Sequence, residues 1–245
     1  MEVHHHPDVE KKGFKEYLLE GLMIFIAVTM GFFAESLREH ISENSKEKEY
    51  VRSFAEDLKK DTAALHYSME RLNSDIARCD SVIRQYVGNK LVQQPDSLIS
   101  IMTSNAGNSV DLFFNDRTSS QLKETGSMRL IRNKAIADSM LKYWNTQFKL
   151  QLVHDRFESF RVEQRKAGWK TFNWYIGNYN FLNPNNRLPI RKAIFDERQL
   201  NEFVNVCATL YNLGKSQYLP LLKQQLKLAQ SIITTIDKQY PPKNE

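Results

Sequence analysis

The chain has 245 residues, 41% hydrophobic and 11% aromatic, which excludes a disordered chain and leaves room for one sizeable core. Its 34 basic and 29 acidic residues are mostly interleaved, so the net charge of +5 marks solvated helix faces and not a nucleic-acid patch. Nine glycines and seven prolines are few for this length and argue against an all-β fold.

Residues 1–16 form a polar tail. His4, His5 and His6 are adjacent, so they do not share one helix face as ligands at i and i+4 would, and the tail reads as binding no specific metal. Residues 17–37, YLLEGLMIFIAVTMGFFAESL, are the one long apolar run. The uninterrupted part, residues 21–34, would reach only about 21 Å as a helix, short of a hydrocarbon thickness of about 30 Å; the longer stretch reaches it. That extension brings in Glu20 and Glu35, one near each end, where a carboxylate costs far less than at the bilayer centre. Tyr17 suits an interfacial position. The stretch is therefore predicted to be a transmembrane helix. Its rivals are a buried core helix and a cleaved signal peptide. For the latter, Lys11, Lys12 and Lys15 supply a basic region, but Ala34-Glu35-Ser36 is a weak cleavage site.

At 100° per residue Glu20, Ile24, Ala27, Gly31, Glu35 and Arg38 fall on one stripe of this helix. Ala27 and Gly31 are a small-x-x-x-small pair that lets two backbones approach closely in lipid, so Glu20, Ala27, Gly31 and Glu35 are the candidate helix-contact face. The Lys/Arg bias that sets topology is nearly balanced, with three lysines before the span against Arg38, Lys46, Lys48 and Arg52 after it. The short tail with its lysines is expected in the cytoplasm, with the larger domain across a bacterial inner membrane in the periplasm.

Residues 38–50 are almost wholly charged and polar and read as a helical stalk. Beyond them a seam runs Val51, Phe54, Leu58, then Asp61 or Thr62, then Leu65, Met69, Leu72, Ile76, Cys79, Ile83 and Tyr86. Its mean spacing of about 3.5 is that of a helix packed lengthwise in a bundle or coiled coil. With no Gly or Pro between the span and Gly88, one helix is predicted from about Phe14 to Val87.

Residues 88–117 are irregular. Pro95 starts a short predicted helix over 98–104, ended by residues 105–108, and 111–115 is a short apolar loop expected to cap the bundle. Thr118 and Gln121 have capping-box spacing, and Gly126 is a predicted left-handed helix end. A second long helix starts at Asn133 as N-cap and carries Ile136, Met140, Tyr143, Leu150, Val153, Phe157, Phe160 and Ala167 on one stripe before fading near Gly168. The aromatic, turn-rich stretch from residue 169 reads as a packed connection. Trp169, Phe172, Trp174, Tyr175 and Tyr179 are its candidate ligand or partner surface. The last helical region covers about 197–240, with one stripe at Leu200, Phe203, Cys207 and Leu210 and another at Leu222, Leu226, Ala229, Ile233, Ile236 and Tyr240. Between them Gly214 and Pro220 mark a kink or a new helix start, so the bundle has three main helices or, if the chain reverses there, four. Residues 241–245 are a tail.

Two stretches carry a resemblance. Residues 3–40 with 47–61, and residues 119–144 through Leu122, Gly126, Leu130, Ile131, Asn133, Lys134 and Tyr143, are similar to segments of a family of uncharacterised single-span membrane proteins from Bacteroidota. The resemblance covers about a third of the chain. It implies an inner-membrane anchor with a helical domain, and supplies no activity.

The sequence holds no Gly-rich phosphate loop, no GxSxG, no HExxH and no CxxC. Adjacent in a helix, His154 and Asp155 point about 100° apart and form no dyad with each other. Cys79 and Cys207 match no zinc spacing; they are either small buried residues or, with Cα atoms within about 7 Å in an oxidising compartment, a pair. The expectation is an all-α protein: one transmembrane helix continuing into a bundle of three or four long antiparallel helices. It is expected to be no enzyme, with no cofactor, metal or nucleic acid, and to act through a protein partner or a second copy at the membrane. A sensor bundle that binds a small ligand is the rival.

Overall fold

A computed structural model describes residues 13–88, 112–171, 176, 179–180, 182–189 and 196–241. Among them there is no strand, and the all-α expectation holds. Helix α1 spans Phe14–Val87, the bounds read from its uninterrupted sequence. Helix α2 is Arg117–Glu124, followed by a 3₁₀ turn at Ser127–Leu130. Helix α3 is Lys134–Thr171 and α4 is Glu197–Leu213. A π turn, Gly214–Tyr218, leads into α5, Leu219–Gln239. The chain divides into two compact units, Met1–Glu49 and Tyr50–Glu245.

In the first unit every described residue through Ser42 is exposed, and one 18-residue window of α1 is long and apolar enough to cross a membrane with none of it buried. A core helix of a soluble protein would be mostly covered, so the buried-core alternative does not describe this stretch. Both apolar glycine positions, Gly21 and Gly31, face open space.

The second unit is a bundle of three long helices. The α1 seam is buried as spaced: Val51, Phe54, Leu58, Leu65, Leu72 and Cys79 all lie in the core. Phe54 packs edge-on against Tyr143 and Trp144, Asp75 meets Arg161, and Cys79 meets Gln164. Both sequence numbers rise together, so α1 and α3 run parallel. The last helix is antiparallel to both: Gln225 donates to the Tyr143 carbonyl, Tyr218 meets His154, and Cys207 meets Gln164. The antiparallel order therefore belongs to the last helix alone. The chain between α1 and α3 is long enough to return to the starting end, which is what a parallel pair requires.

The chain does not reverse between Gly214 and Pro220. Leu213, Gly214, Tyr218 and Leu219 all keep right-handed helical angles. Pro220 has no N–H and its ring crowds the preceding turn; the wider π turn just before it absorbs both, so the helix continues. Buried Leu210, Gly214, Tyr218 and Leu222 follow at intervals of four, wider than 3.6, and the π turn keeps all of them on one face. Only glycine fits at 214: a Cβ there would lie 2.9 Å from Ile76 Cγ1 and 3.3 Å from Phe157 Cε2.

The local expectations meet different fates. Asn133 does cap α3, its Oδ1 accepting from the Ile136 N–H at 3.3 Å, and Gly126 is left-handed with φ 62°. Thr118 is not a cap, because α2 begins one residue earlier. The residues of the 111–115 loop that are described lie alongside the bundle near Asp61 and Tyr143 and not over its end. The short helix expected over 98–104 and the tail histidines lie outside the described residues.

Candidate functional site

The bundle encloses two polar clusters, one toward each end of its long core. The first is built on α1 carboxylates. Asp57 accepts from the Thr118 N–H at 3.1 Å and from its hydroxyl at 2.5 Å. Asp116, at the cap position of α2, makes no side-chain cap bond, so Asp57 reaches across to serve one of the orphan N–H groups of that helix. One turn on, Asp61 accepts from the Asn115 N–H at 2.8 Å, the Asn115 amide at 3.0 Å and the Tyr143 hydroxyl at 2.8 Å. These two carboxylates fasten the returning segment to α1. Burial pushes the Asp61 carboxyl above the usual range against its three donors, with Asp57 adding repulsion. Burial and the neighbouring Asp61 push the Tyr143 phenol up as well.

A raised folded pKa means that proton uptake favours the folded state. The penalty Asp61 imposes is absent below its unfolded value, near 4, and is fully felt once the pH has risen through the folded pKa. Asp61→Asn keeps an acceptor for Asn115 and removes the charge. Its urea midpoint should therefore gain on wild type as pH rises from about 4 to 8, whereas Asp61→Ala should lose about 1–3 kcal/mol at every pH by leaving Asn115 and Tyr143 unserved. Parallel pH profiles for wild type and Asp61→Asn would rule this out.

The second cluster surrounds the π turn. Arg161, 8% exposed in its side chain, pairs with Asp75 of α1 and lies 3.6 Å from Glu158. Asp75 also holds Arg78. Burial pulls both guanidinium pKa values down; the proximity of Arg161 adds to this at Arg78, while at Arg161 the repulsion from Arg71 is countered by Glu158. Two turns back along α3, His154 Nδ1 and the Tyr218 hydroxyl are 2.7 Å apart, and Tyr218 stacks at a tilt on Phe157, 5.4 Å between centroids. Three residues beyond Arg161, Gln164 Nε2 lies 3.2 Å from Cys207 Sγ and 3.7 Å from Cys79 Sγ. These groups link all three long helices, and Glu158 Oε1 is buried without a hydrogen bond.

The sequence-derived sites are placed unevenly. Glu20, Ala27, Gly31 and Glu35 are all on α1 and all exposed; Glu35 pairs with Arg38, Oε1 to Nη2 2.5 Å. Trp169 belongs to the last turn of α3, which runs to Thr171 and does not fade at Gly168, and it is 59% exposed. Tyr179 is also exposed. Phe172, Trp174 and Tyr175 lie outside the described residues. His154 and Arg161 were not expected in the core. Each lies four residues after a stripe residue, Leu150 and Phe157, and that spacing is the signal that widens the buried face to include them. Among the described residues no group of three or more His, Cys, Asp or Glu could hold a metal ion. The outer face of α3 also presents Leu141, Phe148, Leu152, Val162 and Trp169, four of them in register at multiples of seven.

Comparison with family models, with curated proteins and with solved structures finds no match.

Proposed function

We propose that this chain is a single-pass membrane protein whose helical domain works as a subunit or scaffold through protein contacts at the cell envelope, without catalysis. The observation that carries the reading is the bare apolar stretch of α1, where large side chains such as Phe25, Phe32 and Phe33 are 66–75% exposed. Water does not accommodate such a surface over a full span length, and lipid does. A helix that continues without a break past Ala34 favours an anchor over a cleaved leader. The rest of the reading follows from the charges and from the resemblance: an inner membrane of the Bacteroidota type, the lysine-bearing tail in the cytoplasm and the bundle in the periplasm.

Contacts, and not chemistry, are favoured by two features. The buried His, Tyr, Arg and carboxylate groups are spent on bonds within the bundle. The span meanwhile has a face of small residues, Ala27 and Gly31, that suits a second helix, from another protein or another copy.

The test is a single cysteine introduced by Ala27→Cys or Gly31→Cys in a chain also carrying Cys79→Ser and Cys207→Ser. Oxidation in native membranes should give a crosslinked dimer or one discrete adduct from these positions and none from Phe25→Cys on another face. Equal crosslinking at all three positions, or none at any, sinks the contact face.

A further inference from the structure

We propose that Cys79 and Cys207, both free thiols in the structure, form a disulfide on oxidation that fastens α1 to α4. They are the two cysteines of the chain, separated by more than half its length, yet the fold brings both sulfurs to one amide, Gln164 Nε2, at 3.7 and 3.2 Å. The two thiols are themselves within hydrogen-bonding reach of each other. Cysteines that merely fill apolar space need neither a facing partner nor a shared amide donor.

The hydrogen bond from Cys207 lowers the Cys79 thiol, against its burial, with Gln164, Arg78 and Arg161 contributing in the same direction. The same contact, with burial, raises Cys207. Either sulfur, once a thiolate, can open the exchange, and the product is the same. Starting from Cys79, with a low-molecular-weight disulfide as oxidant, the sulfur displaces one thiolate and forms a mixed disulfide. Cys207 then gives up its proton and attacks the Cys79 sulfur, releasing the second thiolate. Two protein thiols become one disulfide, and one small disulfide becomes two small thiols. Both sulfurs are buried, so the exchange proceeds as the bundle opens and should quicken in mild denaturant. In the cell the bond requires an oxidising compartment, so this inference rests on the periplasmic placement of the bundle; the exchange in vitro does not.

The test uses the full chain in detergent with oxidised glutathione. The expected product is lighter by two hydrogens and takes no N-ethylmaleimide after denaturation. Cys79→Ser and Cys207→Ser should each retain one glutathione and gain no thermal stability. Because the bond closes a loop on the order of 130 residues, the oxidised wild type should melt roughly 10 °C above the reduced form. The proposal is overturned if the oxidised wild type still alkylates at both cysteines, carries glutathione on both, or crosslinks only between chains. An unchanged or lower melting point for the internally bridged product would equally overturn the fastening role.

Discussion

Arg161→Ala should destabilise the helical domain by about 3–5 kcal/mol, read as a lowered urea midpoint of the fragment 50–245 with its cooperativity retained. In the intact cluster Arg161 pairs with Asp75, which also holds Arg78, and lies beside Glu158. Removing Arg161 takes away the more buried cation of Asp75, and Glu158 loses its cationic neighbour. The desolvation cost of those groups stays while the attraction that offset it goes. Arg161→Lys should recover only part of the loss, because one ammonium cannot reproduce a planar fork that reaches Asp75 and Glu158 together. The informative partner is Asp75→Leu. That change alone removes the carboxylate that Arg78 and Arg161 share, whereas Asp75→Leu with Arg161→Met should be less destabilised than the sum of the singles by well over 1 kcal/mol. A loss below about 1 kcal/mol for Arg161→Ala would mean that water reaches the cluster freely.

The same cluster shows where the sequence is legible and where it is not. The bounds of α1 could be read because continuity needs only local information: no Gly or Pro between the span and Gly88, and a seam from Val51 to Tyr86 that is apolar at every step but the one at Asp61 or Thr62. Arg161 could not be read, because its charge argues for solvent while its position four residues beyond Phe157 argues for the core. Which one wins depends on whether a carboxylate waits on the facing helix, and Asp75 lies 86 residues earlier. The parallel order of α1 and α3 has the same character. An apolar stripe packs in either direction, and what accompanies the parallel choice is a pair of long-range bonds, Asp57 and Asp61 accepting from Thr118 and Asn115 on the way back. The π turn lies between these cases. Pro220 signals a disturbance without its outcome, but Leu210, Gly214, Tyr218 and Leu222 at steps of four already spell a turn wider than 3.6 residues. The span face is the opposite case. Every residue of it could be named from periodicity, and no intrachain contact at Ala27 or Gly31 decides what it meets.

Placing two arginines at the middle of the span, Ile26→Arg with Val28→Arg, should abolish stable membrane association. Each arginine at the centre of a transmembrane helix opposes insertion by about 2.5–3.5 kcal/mol, so the pair opposes it by roughly 5–7. Residues 26 and 28 lie between the carboxylates at Glu20 and Glu35, too deep for both guanidiniums to reach a headgroup layer at once. Arginine is a good helix former, so the substitutions act through transfer into lipid and leave helicity in water intact. The control is Phe148→Arg, which places the same charge on an exposed apolar side chain of α3 and should change neither fractionation nor stability beyond about 0.5 kcal/mol. Alkaline extraction of membranes separates the outcomes: wild type and Phe148→Arg remain in the pellet, and the double variant appears in the supernatant or is degraded. The intact mass of the extracted wild type removes the remaining rival, since a chain beginning near Glu35 would be a processed export product and not an anchored one. A double variant that stays in the pellet as firmly as wild type would show that residues 17–37 are not what holds the protein to lipid, because no other described helix stretch is long and apolar enough to do so.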